Sequence, residues 1–208
     1  MISMGGFLHL SGQRTAMAET LSFLHASLSI SDQLLRVTSM KCTLQASKEL
    51  GAAEYSIFWL SPDRARVDAR QGAIADKTLW VTASDVVVTD RMNGEIHHYQ
   101  GISEVQDPLF EPALEFLTPE TISRSIYGKW KPKQYKQHRG EERLTLAYIN
   151  FEGKTLLEMT VDLSTDLPVS ITRFAPNDAI SELENEHELE AHFVWDEPIS
   201  SRLLIREE

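Results

Sequence analysis

A chain of 208 residues with 42% hydrophobic residues and one cysteine can bury a core as a single domain, and its net charge of −11 disfavours nonspecific binding to nucleic acid or to an anionic membrane. The lone Cys42 excludes an intramolecular disulfide and a Cys-rich metal site, and no apolar run approaches the roughly 20 residues that span a bilayer. Residues 1–14 read as an N-terminal tail without the order of an export signal, since Arg14 follows the apolar part, and residues 15–208 read as one domain.

Met17, Leu21, Leu24 and Leu28 recur at spacings of three and four, which predicts an amphipathic helix over Thr15 to Leu28, and Ser31-Asp32 caps a further helical turn through Leu34 and Leu35. The period then changes. Met40, Cys42, Leu44 and Ala46 alternate with polar residues and predict the first strand, Ser39 to Ser47, in which Cys42 behaves as a small buried hydrophobe. After a turn at Gly51, Ala53 to Leu60 is apolar on both faces, with Tyr55, Ile57 and Trp59 on one and Phe58 and Leu60 on the other. Such a strand is covered on both sides or offers apolar surface to a ligand or a partner.

Pro62-Asp63 turns the chain into Arg64 to Arg70, where Ala65, Val67 and Ala69 alternate with charged residues. Lys77 to Ala83 is β-prone, Ser84-Asp85 ends it, and Val86 to Asp90 follows as a hairpin partner. Asn93-Gly94 predicts a two-residue hairpin turn before Glu95 to Tyr99. Beyond Gly101 the chain carries Leu109, Phe110, Leu114, Phe116 and Leu117 among prolines, and Thr118-Pro119-Glu120 opens a helix expected to run to Tyr127 and stop at Gly128. Two short apolar helical pieces therefore stand between strands.

Arg124 to Arg139 is basic and interleaved with Tyr127, Trp130 and Tyr135, which reads as a solvated strand face, the alternative being contact with nucleic acid or anionic headgroups. Three more strands follow, Glu142 to Ile149, Thr155 to Asp162 and Val169 to Phe174, separated by Glu152-Gly153 and Leu167-Pro168 turns. Glu182, Glu184, Glu186, Glu188 and Glu190 occupy every second position against Leu183, His187, Leu189, Ala191, Phe193 and Trp195, so strand periodicity overrides glutamate's helix preference at least from Glu186 to Trp195. The row lacks the loop and Gly of a calcium site. His97 and His98 point to opposite faces of a strand and cannot share a metal.

No Gly-rich phosphate loop, nucleophile elbow or HExxH motif is present, so the residues predict neither an enzyme nor a cofactor or metal site. A catalytic reading keeps only Arg64, Arg66, Asp68, His97 and His98, and the alternation that puts Arg64, Arg66 and Asp68 on a wet face argues against it.

The order helix, SPDRARV, TLWVTASD, two small helices, a long hairpin, VDLSTDLPVSITRF and a closing EAHFVWDEPIS resembles the LolA-like superfamily of lipoprotein carriers and RseB-type sensor domains over roughly Thr15 to Ser200. The matching pieces are Pro62 with the basic and apolar alternation after it, Thr78-Leu79-Trp80 at the family's "DGktlW" run, the Asp162 to Pro168 turn, and Phe193 to Pro198 at the family's "F.F..P" ending. Ser61 stands where the carrier branch has an Arg that holds its lid closed, and Lys77 follows Asp76 where the family has Gly. The resemblance implies an α+β, mainly β fold: a single curved antiparallel sheet, a half-open barrel, with helices covering its concave face in the bacterial envelope or periplasm.

It implies non-enzymatic binding of a lipid or of the acyl chain of a lipoprotein, in transport or sensing, within an apolar cavity. Together with the two-faced strand and the inserted helices, it names Tyr55, Ile57, Trp59, Val67, Leu79, Val81, Leu114, Leu117, Ile122, Met159 and Phe193 as the ligand-binding residues, with a lid from Asp107 to Gly128 held by packing in place of the missing Arg. The alternative is an RseB-like interaction module in envelope signalling, whose apolar strands meet a protein partner or a second copy in a homodimer.

Overall fold

The computed structural model describes residues 30–47, 52–61, 63–125, 130–138, 140–149, 153–174 and 187–204. The helix expected over Thr15 to Leu28, the Gly51 turn, the helix end at Tyr127-Gly128 and Glu182, Glu184 and Glu186 lie outside these residues. The strands are β1 (Ser39–Ala46), β2 (Glu54–Leu60), β3 (Arg64–Gln71), β4 (Ala75–Val81), β5 (Val86–Asp90), β6 (Ile96–Tyr99), β7 (Trp130–His138), β8 (Glu141–Ile149), β9 (Thr155–Asp162), β10 (Leu167–Phe174) and β11 (His187–Trp195). All pair antiparallel in one open sheet of order β6-β5-β4-β3-β2-β1-β11-β10-β9-β8-β7.

That order follows from two meanders, β1 to β6 and β7 to β11, joined where β1 pairs with β11. Its consequence is geometric. The end of β6 and the start of β7 lie on opposite edges of the sheet, so the chain between them must cross one face. Helix α1, described over residues 30–34, lies on that same face, and the crossing carries a 3₁₀ turn (Ile102–Glu104), α2 (Glu111–Leu114) and α3 (Pro119–Ser125). The α+β, mainly β reading, with helices on one face of an open antiparallel sheet, is the fold observed.

The crossing is held to the inner face by apolar burial. Phe110, Ala113, Phe116, Leu117 and Ile122 share one core cluster with Leu44, Ile57, Val67, Leu79, Leu146, Met159 and Leu189 of the sheet, and each fully buried aliphatic or aromatic side chain contributes roughly 1.5–3 kcal/mol. The start of α3 is fixed as its sequence predicts. Thr121 donates its N–H to Thr118 Oγ1 at 3.2 Å, and Thr118 donates its own to Thr121 Oγ1 at 3.0 Å, a reciprocal cap at the N-terminus.

The outer face of β2 is covered locally. Arg66 on the neighbouring strand stacks over Trp80 at 4.6 Å and donates from Nη1 to Leu203 O at 3.0 Å, drawing a 3₁₀ turn (Ser201–Leu204) over β3, where Leu204 is buried. Leu60 and Phe58 are thereby only part-exposed. At the other end of β1, Asp196 Oδ1 accepts from Thr38 N at 2.7 Å and Thr38 Oγ1 at 2.9 Å, tying the end of β11 to the start of the sheet.

Three turns differ from the sequence reading. The β5–β6 loop spans five residues, Arg91 to Glu95, because Asp90 Oδ1 and Asn93 Oδ1 accept the N–H groups of Met92 and Glu95 and satisfy the wider loop. Strand β4 begins at Ala75 and ends at Val81, since Thr82 and Asp85 exchange turn hydrogen bonds. The β9–β10 turn is made before Leu167-Pro168, by Asp162 Oδ1 accepting from Ser164 and by Asp166 at φ 55°, and Pro168 sits inside β10 beside a bulge that tolerates its missing N–H. Gly94 has φ +76° and no atom within 4 Å of where a methyl group would stand, so Gly94→Ala should cost about 1 kcal/mol by backbone strain alone, read from the urea midpoint.

Candidate functional site

All eleven residues named from the sequence lie in, or pack against, one apolar cluster beneath the crossing. Tyr55, Ile57 and Trp59 (β2), Val67 (β3), Leu79 (β4), Met159 (β9) and Phe193 (β11) are buried on the inner face, Leu117 and Ile122 are buried from above, and Val81 and Leu114 are half-buried at its margin. The strand registers make this a single surface: Tyr55, Ile57 and Trp59 stand opposite Ala69, Val67 and Ala65, which stand opposite Lys77, Leu79 and Val81. Phe116 reaches Phe193 with ring centroids 6.0 Å apart, and Phe193 stacks on Trp195 at 5.4 Å.

The open volume lies beside this cluster. A cavity of about 800 Å³ separates the α2 segment from the far half of the sheet. Its walls are apolar: Pro108 and Pro112 above, and Tyr148, Leu156, Leu157 and Phe174 on the strands. Four charged residues, Glu111, Glu115, Arg173 and Glu188, complete its lining. None of the eleven lines it.

Sequence reasoning missed Arg173, although the signal was legible. Ile171 and Arg173 alternate on β10, and Arg173 stands opposite Leu157 in the inner-face row that continues to Tyr148, so one guanidinium points into an otherwise apolar wall. Its Nη1 donates to both carboxylate oxygens of Glu115, at 3.1 and 3.0 Å, and its Nε lies 2.9 Å from Glu188 Oε2. Glu188, one of the glutamates spaced two apart along the sequence, thereby has a basic neighbour.

A second ion pair holds the start of the crossing. Lys77, an inner-face residue, donates to Asp107 Oδ2 at 2.7 Å, and that hydrogen bond keeps the Lys77 ammonium above its ordinary pKa while burial works against it. Burial, and then the Asp107 carboxylate, push the Tyr55 hydroxyl up to about 12. Ser123 also donates to Ser31 Oγ at 3.2 Å. The crossing is therefore latched at three points as well as packed, so these polar contacts join the apolar packing that stands in for an arginine at Ser61. Glu115 is half exposed, so its pair is worth about 0.5 kcal/mol after screening. Glu115→Gln should leave global stability nearly unchanged while amide exchange across Phe110 to Leu117 speeds up several-fold.

The residues of the catalytic reading do not converge. His97 stands opposite Val88 and His98 opposite Val87, on opposite faces, while Arg66 and Asp68 are bonded to each other on the outer face. Burial pushes the Cys42 thiol far above its usual range, away from nucleophilic use.

No protein-family model matches this chain, and no curated protein does. An uncharacterised conserved protein from Thermus thermophilus has a similar structure, with a TM-score of 0.51 and 10% identity over 90% of this chain and 94% of that one. An open antiparallel sheet with its helical crossing seated on the inner face is also the architecture that the sequence resemblance implies. The likeness to the Thermus thermophilus protein is one of fold. Two weaker likenesses are LprF from Mycobacterium bovis, with a TM-score of 0.47 and 7% identity over 85% of this chain and 93% of that one, and the lipoprotein LppX from Mycobacterium tuberculosis, with 0.46 and 12% over 85% and 94%. The crossing lies over the apolar inner face of the sheet, and among the described residues no helix is long and apolar enough to cross a membrane.

Proposed function

We propose that this LolA-like domain is a non-enzymatic binder of a lipid or of the acyl chain of a lipoprotein, acting in the cell envelope or periplasm as a carrier or sensor, with residues 15–208 as its single domain. The observation that carries the reading is the cavity of about 800 Å³ under α2, lined mainly by apolar side chains with four charged residues among them. That volume falls in the range that encloses a small-molecule ligand, and burial of an alkyl chain there yields about 0.8 kcal/mol per methylene. The chain enters between α2 and β8–β10, and lifting the latched crossing then exposes Tyr55, Ile57, Trp59, Val67, Leu79, Val81, Met159 and Phe193 of the sheet and Leu114, Leu117 and Ile122 of the lid. Native mass spectrometry of gently purified protein tests this: a co-purifying mass that extracts into organic solvent supports it, and an unliganded protein that takes up no added fatty acid overturns it.

A second reading, an interaction module that meets a protein partner or a second copy, is favoured by one corner of the sheet. Ile74 in the β3–β4 turn, Met92 in the β5–β6 loop and Ile96 on edge strand β6 are all exposed, and the β5–β6 loop is tied to the start of β4 by Arg91 N–H donating to Asp76 O at 2.8 Å. Light scattering during size exclusion separates the two: a dimer that dissociates in Ile96→Lys supports the module, and a monomer counts against the homodimer.

A further inference from the structure

The sequence places its basic stretch on β7, and binding of an acyl chain uses none of it. On the outer face, away from the lid, a groove of about 270 Å³ is lined by Lys136, Arg143, His192, Thr145, Thr160 and Ser170, with Val169 at its end. We propose that this groove is a binding site for a tetrahedral oxyanion, a phosphate group in particular.

The register argues for it. Lys136 and Arg143 stand directly opposite each other across β7 and β8, on the same face as Thr145, and like charges in directly opposed positions destabilise a sheet unless an anion lies between them. Arg143 is ion-paired to Glu141 at 2.9 Å through one guanidinium nitrogen, which leaves further donors, and among the described residues Lys136 has no ion-pair partner. The hydroxyls form a row in register: Thr145 opposite Thr160, Thr160 opposite Ser170, and Ser170 opposite His192. Thr145 and Thr160 share a hydrogen bond at 3.2 Å, and whichever of the two accepts in it keeps its own O–H to donate to an anion.

The floor of the groove follows from a break in the sheet. The register shifts between Pro168 and Ser170, and a bulge of this kind bends the strand and re-aims its side chains. His192 is exposed beside the groove and lies 3.0 Å from Glu190 Oε1. The nearby carboxylates, Glu141, Glu190 and Asp162 opposite Arg143, set the selectivity: a singly placed phosphate fits between the cations, and a polyanion meets repulsion at the margins. The volume is below that of pockets for drug-sized ligands and suits a phosphate with a small organic substituent.

The phosphate can be free or can belong to a lipid headgroup, and two probes tell these apart. Titration with inorganic phosphate, followed by amide resonances in a ¹⁵N-labelled sample, should give saturable shifts at Thr145, Thr160 and Ser170. Lys136→Gln/Arg143→Gln, two exposed substitutions that retain the strands, should weaken the midpoint by about tenfold without moving the thermal midpoint. If phosphate alone gives no saturation but phosphatidylglycerol vesicles are bound and the double variant releases them, the anion is a headgroup. No saturation with either probe, shifts confined to other residues, or an unchanged midpoint in the double variant would overturn the proposal.

Discussion

Asp68→Ala is expected to lower the stability of the domain by about 3 kcal/mol. Asp68 Oδ1 accepts four hydrogen bonds on the outer face: from Arg66 Nε at 3.1 Å, Arg66 Nη2 at 2.9 Å, Thr78 Oγ1 at 2.9 Å and Arg91 Nη2 at 2.5 Å. Thr78 is 1% exposed and the Arg66 side chain 17%, so neither is rescued by water when the carboxylate goes. Removing one member of a buried ion pair costs roughly 3–5 kcal/mol, and the partial exposure of Asp68 and Arg91 places this case at the lower end. Asp68→Asn keeps an acceptor for Thr78 and should lose only about 1 kcal/mol. Because Arg66 also holds the 3₁₀ turn at Leu203, amide exchange near that turn should rise in the alanine variant. Urea denaturation with an unchanged m-value is the measurement, and a loss below 1 kcal/mol would show that the network is not cooperative.

Leu117→Asp should release the crossing from the sheet and weaken retention of a hydrophobic dye by about tenfold or more. Leu117 is 5% exposed between α2 and α3, within the cluster that includes Ile57 and Met159. A carboxylate there must be desolvated without a partner or must leave the core, and leaving is easier, because the crossing is attached to the sheet by side chains and not by strand pairing. The sheet should therefore keep its circular dichroism spectrum while fluorescence of an environment-sensitive dye falls. Leu117→Ala provides the milder control, with about 2–3 kcal/mol of destabilisation and partial loss of binding. Equal dye affinity in a folded Leu117→Asp protein would show that the crossing does not guard the ligand, and collapse of the β spectrum would show that the crossing is part of the sheet's own core.

The two substitutions probe opposite faces of the same strands, and their effects should add. Asp68 and Leu117 share no partner, and the sheet lies between them. A double variant that loses much more or less than the sum would reveal coupling between the outer network and the lid.

Most of the strands were legible because period-2 alternation is a local property. Ala65, Val67 and Ala69 against Arg64, Arg66 and Asp68 define β3 without any reference to the rest of the chain, and Thr118 with Pro119 and Glu120 defines the start of α3 in the same way. The inner-face residues from Tyr55 to Phe193 were legible for the same reason, since alternation says which side chains share a face. Turn lengths were less so. The side chains of Asp90, Asn93 and Asp162 choose among several hydrogen-bonded loops, and only their geometry decides.

What the sequence by itself determined is the strand set, the apolar face and the two inserted helices, because each is fixed by contacts within a few residues. The tertiary structure alone decided that β1 pairs with β11, and so put β6 and β7 on opposite edges and forced the crossing over the inner face. It also decided that Arg173 meets Glu115, 58 positions away, in the lining of a cavity, and that Lys136, Arg143 and His192 meet across a groove. Such pairings join side chains distant in sequence whose energies, a few tenths to one kcal/mol each, are too small to leave a local signature. Burial of the shared apolar face brings these residues together, and their polar chemistry follows from where it sets them.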